Sequence, residues 1–263
     1  MFKDQIISRL KELTGHNSII ITTRGNAAIK AVLSAVKEKL LIPEEGGWLT
    51  YKKADNYSEV KCDDAVINLR DLEQKLQTKE YGAFLYQNPG GYFAEQPMVE
   101  IYALCRRFGC LVILDVSGSL GTELCDGRYA DVSVGSFGEW KLVEAHVGGF
   151  ISCKDSKLSE QLRPALLADE DSLKIILEKL EWLDKRILFL SEKRKKILKD
   201  LQDFKIVHPD DLGFVVVIKY GAEKEKEQIL TYCQKEQLPW TECPRYIRLN
   251  KKAVSIEVKR LVG

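Results

Sequence analysis

Short apolar runs alternate with helix-period segments from the N-terminus to about residue 155. The runs are SIIITT (18–23), LLIP (40–43), GAFLYQ (82–87), CLVILD (110–115), DVSVGS (131–136) and VGGFIS (147–152). An amphipathic helix is predicted over MFKDQIISRLKEL, and further helices near 26–38, 69–78 and 97–108. The runs are continuously apolar rather than alternating, as strands are when both sheet faces are covered. Strand and helix in turn predict an α/β fold with a mostly parallel, doubly wound sheet.

A long helical stretch rich in acids and bases follows at 155–201, with Leu180, Leu183, Ile187 and Leu190 at helical spacing. Beyond it the pattern predicts strands at 204–209 and 213–220, a helix at 223–237, and strands at YIRLN (246–250) and AVSIEVKRL (253–261). The chain therefore divides into a large domain (1–155), connecting helices (156–201) and a small C-terminal α+β domain (202–263). A unit of that size is marginal alone and is expected to pack on the first. There is no internal repeat.

Composition narrows the classes of function. A formal charge of +1 gives no electrostatic case for nucleic acid or an acidic membrane surface. Basic clusters such as EKRKKILKD (192–200) are interleaved with acids and are expected to form a solvated helix face. No apolar stretch is long enough to cross a bilayer. Seven scattered cysteines without a CxxC pair point to reduced thiols and a cytoplasmic protein. With three isolated histidines, no metal site is expected.

Ligands of open α/β sheets bind at the carboxyl ends of the strands, and four of those ends carry polar residues. Gly25 and Asn26 follow the first run, where a turn and a helix cap could hold an anion. Asn88 follows the third, Asp115 ends the fourth with Ser117 just beyond, and Ser136 ends the fifth with Lys141 beyond it. Each alone reads as an ordinary turn residue. Together they suit pyridoxal phosphate, which offers a phosphate to a helix, a ring nitrogen to an acid and an aldehyde to a lysine. Trp48, after another strand end, could stack on the ring or lie in the core.

These residues resemble the fold-type I pyridoxal phosphate enzymes, the aspartate aminotransferase superfamily, with the sugar-aminotransferase and class V branches nearest. SFGEWKLVEAHVGGF is similar to the family's lysine segment, which implies that Lys141 forms the Schiff base and carries the proton. LVILDVSGSLGT resembles the segment of the pyridinium aspartate, here Asp115. The resemblance further implies that Gly25, Asn26 and Ser136 hold the phosphate, that Asn88 touches the ring hydroxyl and that Trp48 stacks. RYIRLN is similar to the stretch that grips a substrate carboxylate, which implies Arg248, with Arg245 as rival. On a strand, Arg248 would face the cleft and Ile247 the core.

The chain departs from the family in three ways. It is short, Asn26 stands where a small hydroxyl residue is common, and Gly118 stands where sugar aminotransferases often carry glutamine. The expected function is a pyridoxal phosphate-dependent aminotransferase acting on an amino acid or related amine, as a homodimer. A lyase or a desulfurase (with Cys243 as the thiol), and a non-catalytic scaffold, are the alternatives.

Overall fold

Along the central strands successive residues face different cores, which is why their sequences are apolar throughout. In the computed structural model, which describes residues 2–262, Phe84 and Tyr86 join one buried cluster while Ala83 and Leu85 join another. Val112 and Leu114 divide from Ile113 in the same way.

The strands are β1 (Ser18–Thr22), β2 (Lys39–Pro43), β3 (Tyr57–Val60), β4 (Cys62–Asp63), β5 (Val66–Ile67), β6 (Tyr81–Gln87), β7 (Leu111–Asp115), β8 (Val132–Ser136) and β9 (Gly149–Cys153). All but β4 and β5, which pair as a small antiparallel ribbon, form one seven-stranded sheet of order β1-β9-β8-β7-β6-β2-β3. The ladders from β8 through β3 are parallel, whereas β9 runs antiparallel to both neighbours.

Helix α1 (Phe2–Thr14), α3 (Leu69–Leu76) and α4 (Met98–Arg107) add Ile6, Leu10, Leu72 and Ile101 to the first cluster. Helix α2 (Gly25–Ala35) adds Ala28, Ile29 and Val32 to the second. The sheet is thus covered on both sides, as the sequence predicts. The pattern did not reveal β3, whose residues YSEV are mostly polar.

The stretch 155–201 is broken into α5 (Ser156–Gln161), α6 (Glu170–Glu181) and α7 (Leu183–Asp200). Between α5 and α6 the chain crosses the edge of the sheet, where Leu167 donates its amide to Ile21. Four antiparallel strands follow, β10 (Lys205–Val207), β11 (Val216–Lys219), β12 (Trp240–Cys243) and β13 (Ala253–Ile256), in the order β10-β11-β13-β12. Helix α8 (Glu223–Lys235) joins β11 to β12.

One face of this sheet, with Val216, Ile218, Val254 and Ile256, joins the first core. The other, with Val215 and Val217, packs on Tyr92, Phe93 and Ala94 from the turn after β6. The predicted strand at 246–250 is a turn. Its backbone folds back, with the Arg245 amide donating to the Leu249 carbonyl, so Ile247 and Arg248 do not stand on alternate faces of a strand. Arg248 is buried and Ile247 is half-buried, the reverse of the expectation.

Candidate active site

The carboxyl ends of β7 and β8 and the start of α2 open beneath the C-terminal turns, and a cavity of about 500 Å³ lies between them. That size suits a cofactor or small substrate. Its floor comes from the large sheet and its roof from the C-terminal turns.

Helix α2 begins at Gly25, and Arg24, in extended conformation, gives it no side-chain cap. The first amides of the helix therefore open on the cavity, where they favour an anion. Gly25 is required by close approach, since a Cβ there would lie 2.5 Å from the Ser136 Cβ. Asn26 does not cap the helix. Its Oδ1 accepts from Trp48 Nε1 at 2.8 Å and from Thr50 Oγ1 at 2.9 Å, tying Trp48 to the cavity wall.

Asp115 ends β7 and is almost fully buried, yet it lines the cavity. Its Oδ1 accepts the Ser117 amide at 2.9 Å and its Oδ2 the Tyr51 hydroxyl at 2.6 Å. Burial, together with the adjacent Asp115, holds the Tyr51 phenol well above its usual range, so it stays a donor. Tyr51 escaped the sequence reading. Its only signal is its place three residues after Trp48 in GGWLTY, the spacing of one 3-10 turn.

Lys141 sits in the loop joining β8 to β9. That loop is pinned by buried Leu142 and Val143, by the Phe137–Phe150 stack and by the Trp140 amide donating to Glu144 Oε1 at 2.6 Å. Trp140 and His146 hold positive φ (58° and 59°), a sparsely populated state for such residues, and both line the cavity. The Lys141 ammonium lies 4.9 Å from the centroids of both the Trp48 and Tyr92 rings and donates to the Tyr92 hydroxyl.

Tyr92, also at positive φ (70°), is a second residue that sequence reading missed. Gly118 makes room for it, because a Cβ at 118 would stand 2.7 Å from the Tyr92 ring. The missing side chain at 118 and the inserted tyrosine are one feature.

The structure thus brings together Gly25, Asn26, Trp48, Asp115, Ser117, Ser136, Lys141 and Arg248 around one cavity. It does not bring Asn88 there. Asn88 is buried under the turn, where its Oδ1 accepts the Gln96 amide at 3.0 Å and its amide contacts Met98 Sδ at 3.7 Å.

Arg248 reaches the cavity with its fork already occupied. Its Nε and Nη2 donate to Glu257 at 3.1 and 2.6 Å, and its Nη1 to the Ile247 carbonyl at 2.7 Å. Glu257, held down at about 2 by Arg248 and Lys259 against the cost of burial, also faces Arg260 at 3.6 Å. Lys259 and Arg260 complete the roof and were not anticipated from the sequence.

A sheet of this order, with an acid and a lysine at adjoining strand ends and an open helix terminus beside them, defines a pyridoxal phosphate transferase fold. Residues 4–170 match the model of the DegT/DnrJ/EryC1/StrS aminotransferase family, and the chain belongs to that family. Residues 171–262 match the model of the MJ1341 family C-terminal domain.

Solved structures agree on the fold. A 3-amino-5-hydroxybenzoic acid synthase aligns at 14% identity and TM-score 0.78, over 99% of this chain and 87% of its own. A DegT DnrJ EryC1 StrS aminotransferase from Brucella abortus aligns at 15% identity and TM-score 0.77, over 97% and 84%. An alanine–glyoxylate aminotransferase from Nostoc sp. aligns at 14% identity and TM-score 0.74, over 98% and 81%. A search of curated proteins finds no match.

Pyridoxal phosphate is the family's cofactor, and the residues present fit it. An uncapped helix terminus packed tightly on Ser136, a buried carboxylate and a lysine ammonium share one cavity of suitable volume. No helix among the described residues is long and apolar enough to cross a membrane.

Proposed function

We propose that this aminotransferase-like enzyme moves an amino group between an amino acid or related amine and a carbonyl acceptor, with Lys141 as its cofactor-holding and proton-carrying residue. The observation that carries the reading is the joint placement of Asp115 and Lys141 in the cavity that also receives the open end of α2. When bound, the cofactor supplies an electron sink for the carbanion at the substrate α-carbon.

The amides of Gly25 and Asn26 and the hydroxyl of Ser136, which line the cavity, would hold the cofactor's phosphate. Asp115, fixed by Tyr51 and Ser117, would offer its carboxylate to the ring nitrogen of the bound cofactor and favour the proton there. Trp48, anchored by Asn26 on the cavity wall, would pack against the cofactor ring. The Lys141 amine takes the proton from the α-carbon and returns it, and Tyr92 orients that amine through its hydroxyl. Arg248 acts through Glu257 as the buried base of the roof.

A desulfurase needs a thiol on a mobile loop. Cys243 instead ends β12 within a buried cluster, where desolvation raises its pKa, and it does not line the cavity. We further propose a homodimer, with Leu49, 56% exposed on the cavity wall, at the two-fold contact. A cytoplasmic location fits seven cysteines that are all free thiols.

Absorbance tests the reading. Purified protein supplied with pyridoxal phosphate is expected to show a visible band that changes on adding an amino donor and returns on adding an oxo acid. A band that responds to none of a panel of amino acids would overturn it.

A further inference from the structure

The roof of the cavity carries more positive charge than its own acid can balance. Glu257, fully buried, is the acid on which Arg248, Lys259 and Arg260 converge, at 2.6, 3.5 and 3.6 Å. It is saturated, since Thr241 and Ser255 hydroxyls also donate to its Oε1 at 3.1 Å each. Arg248 takes both carboxylate oxygens, so Lys259 and Arg260 share what remains. Arg260 Nε is buried without a hydrogen-bond partner, and an unmet buried donor is costly.

We propose that Lys259, with Arg260 beside it, receives an acidic group of the substrate in this cavity. The assignment deepens the aminotransferase reading and depends on it only in calling the anion a substrate group. Lys259 is 5% exposed but lines the cavity, with its ammonium 4.8 Å from the centroid of the Tyr92 ring whose hydroxyl meets Lys141. An anion at Lys259 therefore lies beside the same tyrosine ring that contacts the reacting lysine. Arg248, with its fork closed on Glu257, supports the site from behind.

The charged groups around Lys259 set how it binds. Glu257 and Arg260 face it from its own segment, Arg248 from the turn after β12, and Lys141 from the loop after β8. The neutral rings of Tyr92 and Trp140 complete the wall, at 4.8 and 5.6 Å. Burial first, then repulsion from Arg248, pushes the amine down to about 6, against the pull of Glu257. An amine so depressed gives up its proton readily near neutrality, and an anion entering beside it restores the charge by drawing in a proton.

Calorimetry of the cofactor-loaded protein, in two buffers of different ionisation heat near neutral pH, tests this with succinate and with methyl phosphate as probes. Wild type is expected to bind with uptake of about one proton per site, and comparison of the two probes tells a carboxylate site from a phosphate site. Lys259→Met is expected to lose roughly tenfold or more in affinity, along with the proton uptake. Lys259→Arg, charged throughout, is expected to bind without proton uptake.

Unchanged affinity and uptake in Lys259→Met, uptake persisting in Lys259→Arg, or no binding of either probe to wild type would each overturn the proposal. The cofactor band in the same samples separates the two readings. Lys259-dependent uptake with a band that no amino donor changes keeps the anion site and overturns the aminotransferase reading. A responsive band without Lys259-dependent uptake does the reverse.

Discussion

The floor and the roof of the cavity are built by different physics. The floor residues Asp115, Ser136 and Lys141 stand at or just beyond the ends of strands whose register is fixed by ladders on both sides. Each is placed by local geometry, and each needs few partners to hold its position. The roof residues Arg248, Glu257, Lys259 and Arg260 come from a turn and a short 3-10 segment, and Glu257 ties them together through its charge pairs with Arg248 and Arg260. Losing one floor group should cost chemistry and leave the fold intact. Losing one roof group should cost stability, because buried opposite charges are tolerable only in company.

The sharpest way to break this contrast is at Asp115. Asp115→Asn is expected to keep the fold and detectable cofactor binding while slowing α-proton removal by roughly 10²–10⁴-fold. The measurement is the stopped-flow rate of the cofactor's absorbance change with α-protio and α-deuterio substrate. Full activity, or a large loss of melting temperature instead, would place Asp115 with the roof residues.

Glu257 is the matching test of the roof. Glu257→Gln leaves Arg248 buried without its carboxylate and is expected to cost about 3–5 kcal/mol, read by denaturant unfolding. The pH dependence has a definite sign. Glu257 titrates near 2 in the folded chain, below the usual carboxylate range, so its contribution is complete above that range and fades as acid approaches about 2. The variant should therefore lack this component of acid destabilisation. An acid profile identical to wild type would contradict the ion cluster.

The same division explains what could be read from the amino-acid chain. Apolar runs between helix-period segments are local signals, so β6, β7 and β8 and the residues at their ends were legible within a residue or two. The polar strand β3 carries no such signal. Asn88 looked like its neighbours in sequence, but the turn closes on it and Gln96 takes its carbonyl oxygen.

The roof was misread for a different reason. YIRLN alternates like a strand, and nothing in it tells that Glu257, nine residues after Arg248, will take the guanidinium. Lys259 sits in the apparent strand AVSIEVKRL, which ends at Ile256 and turns its lysine into the cavity. Tyr92 was hidden because its space is granted by Gly118, distant in sequence. Residues that depend on a partner far along the chain leave no periodic trace.

Two amines, Lys141 and Lys259, face one cavity, and the central claim is that Lys141 alone holds the cofactor. Borohydride reduction of the loaded protein followed by peptide mass spectrometry addresses this directly. The pyridoxyl group is expected on the peptide bearing Lys141, and Lys141→Ala is expected to carry none. A pyridoxyl group on Lys259, or on no lysine, would contradict the account.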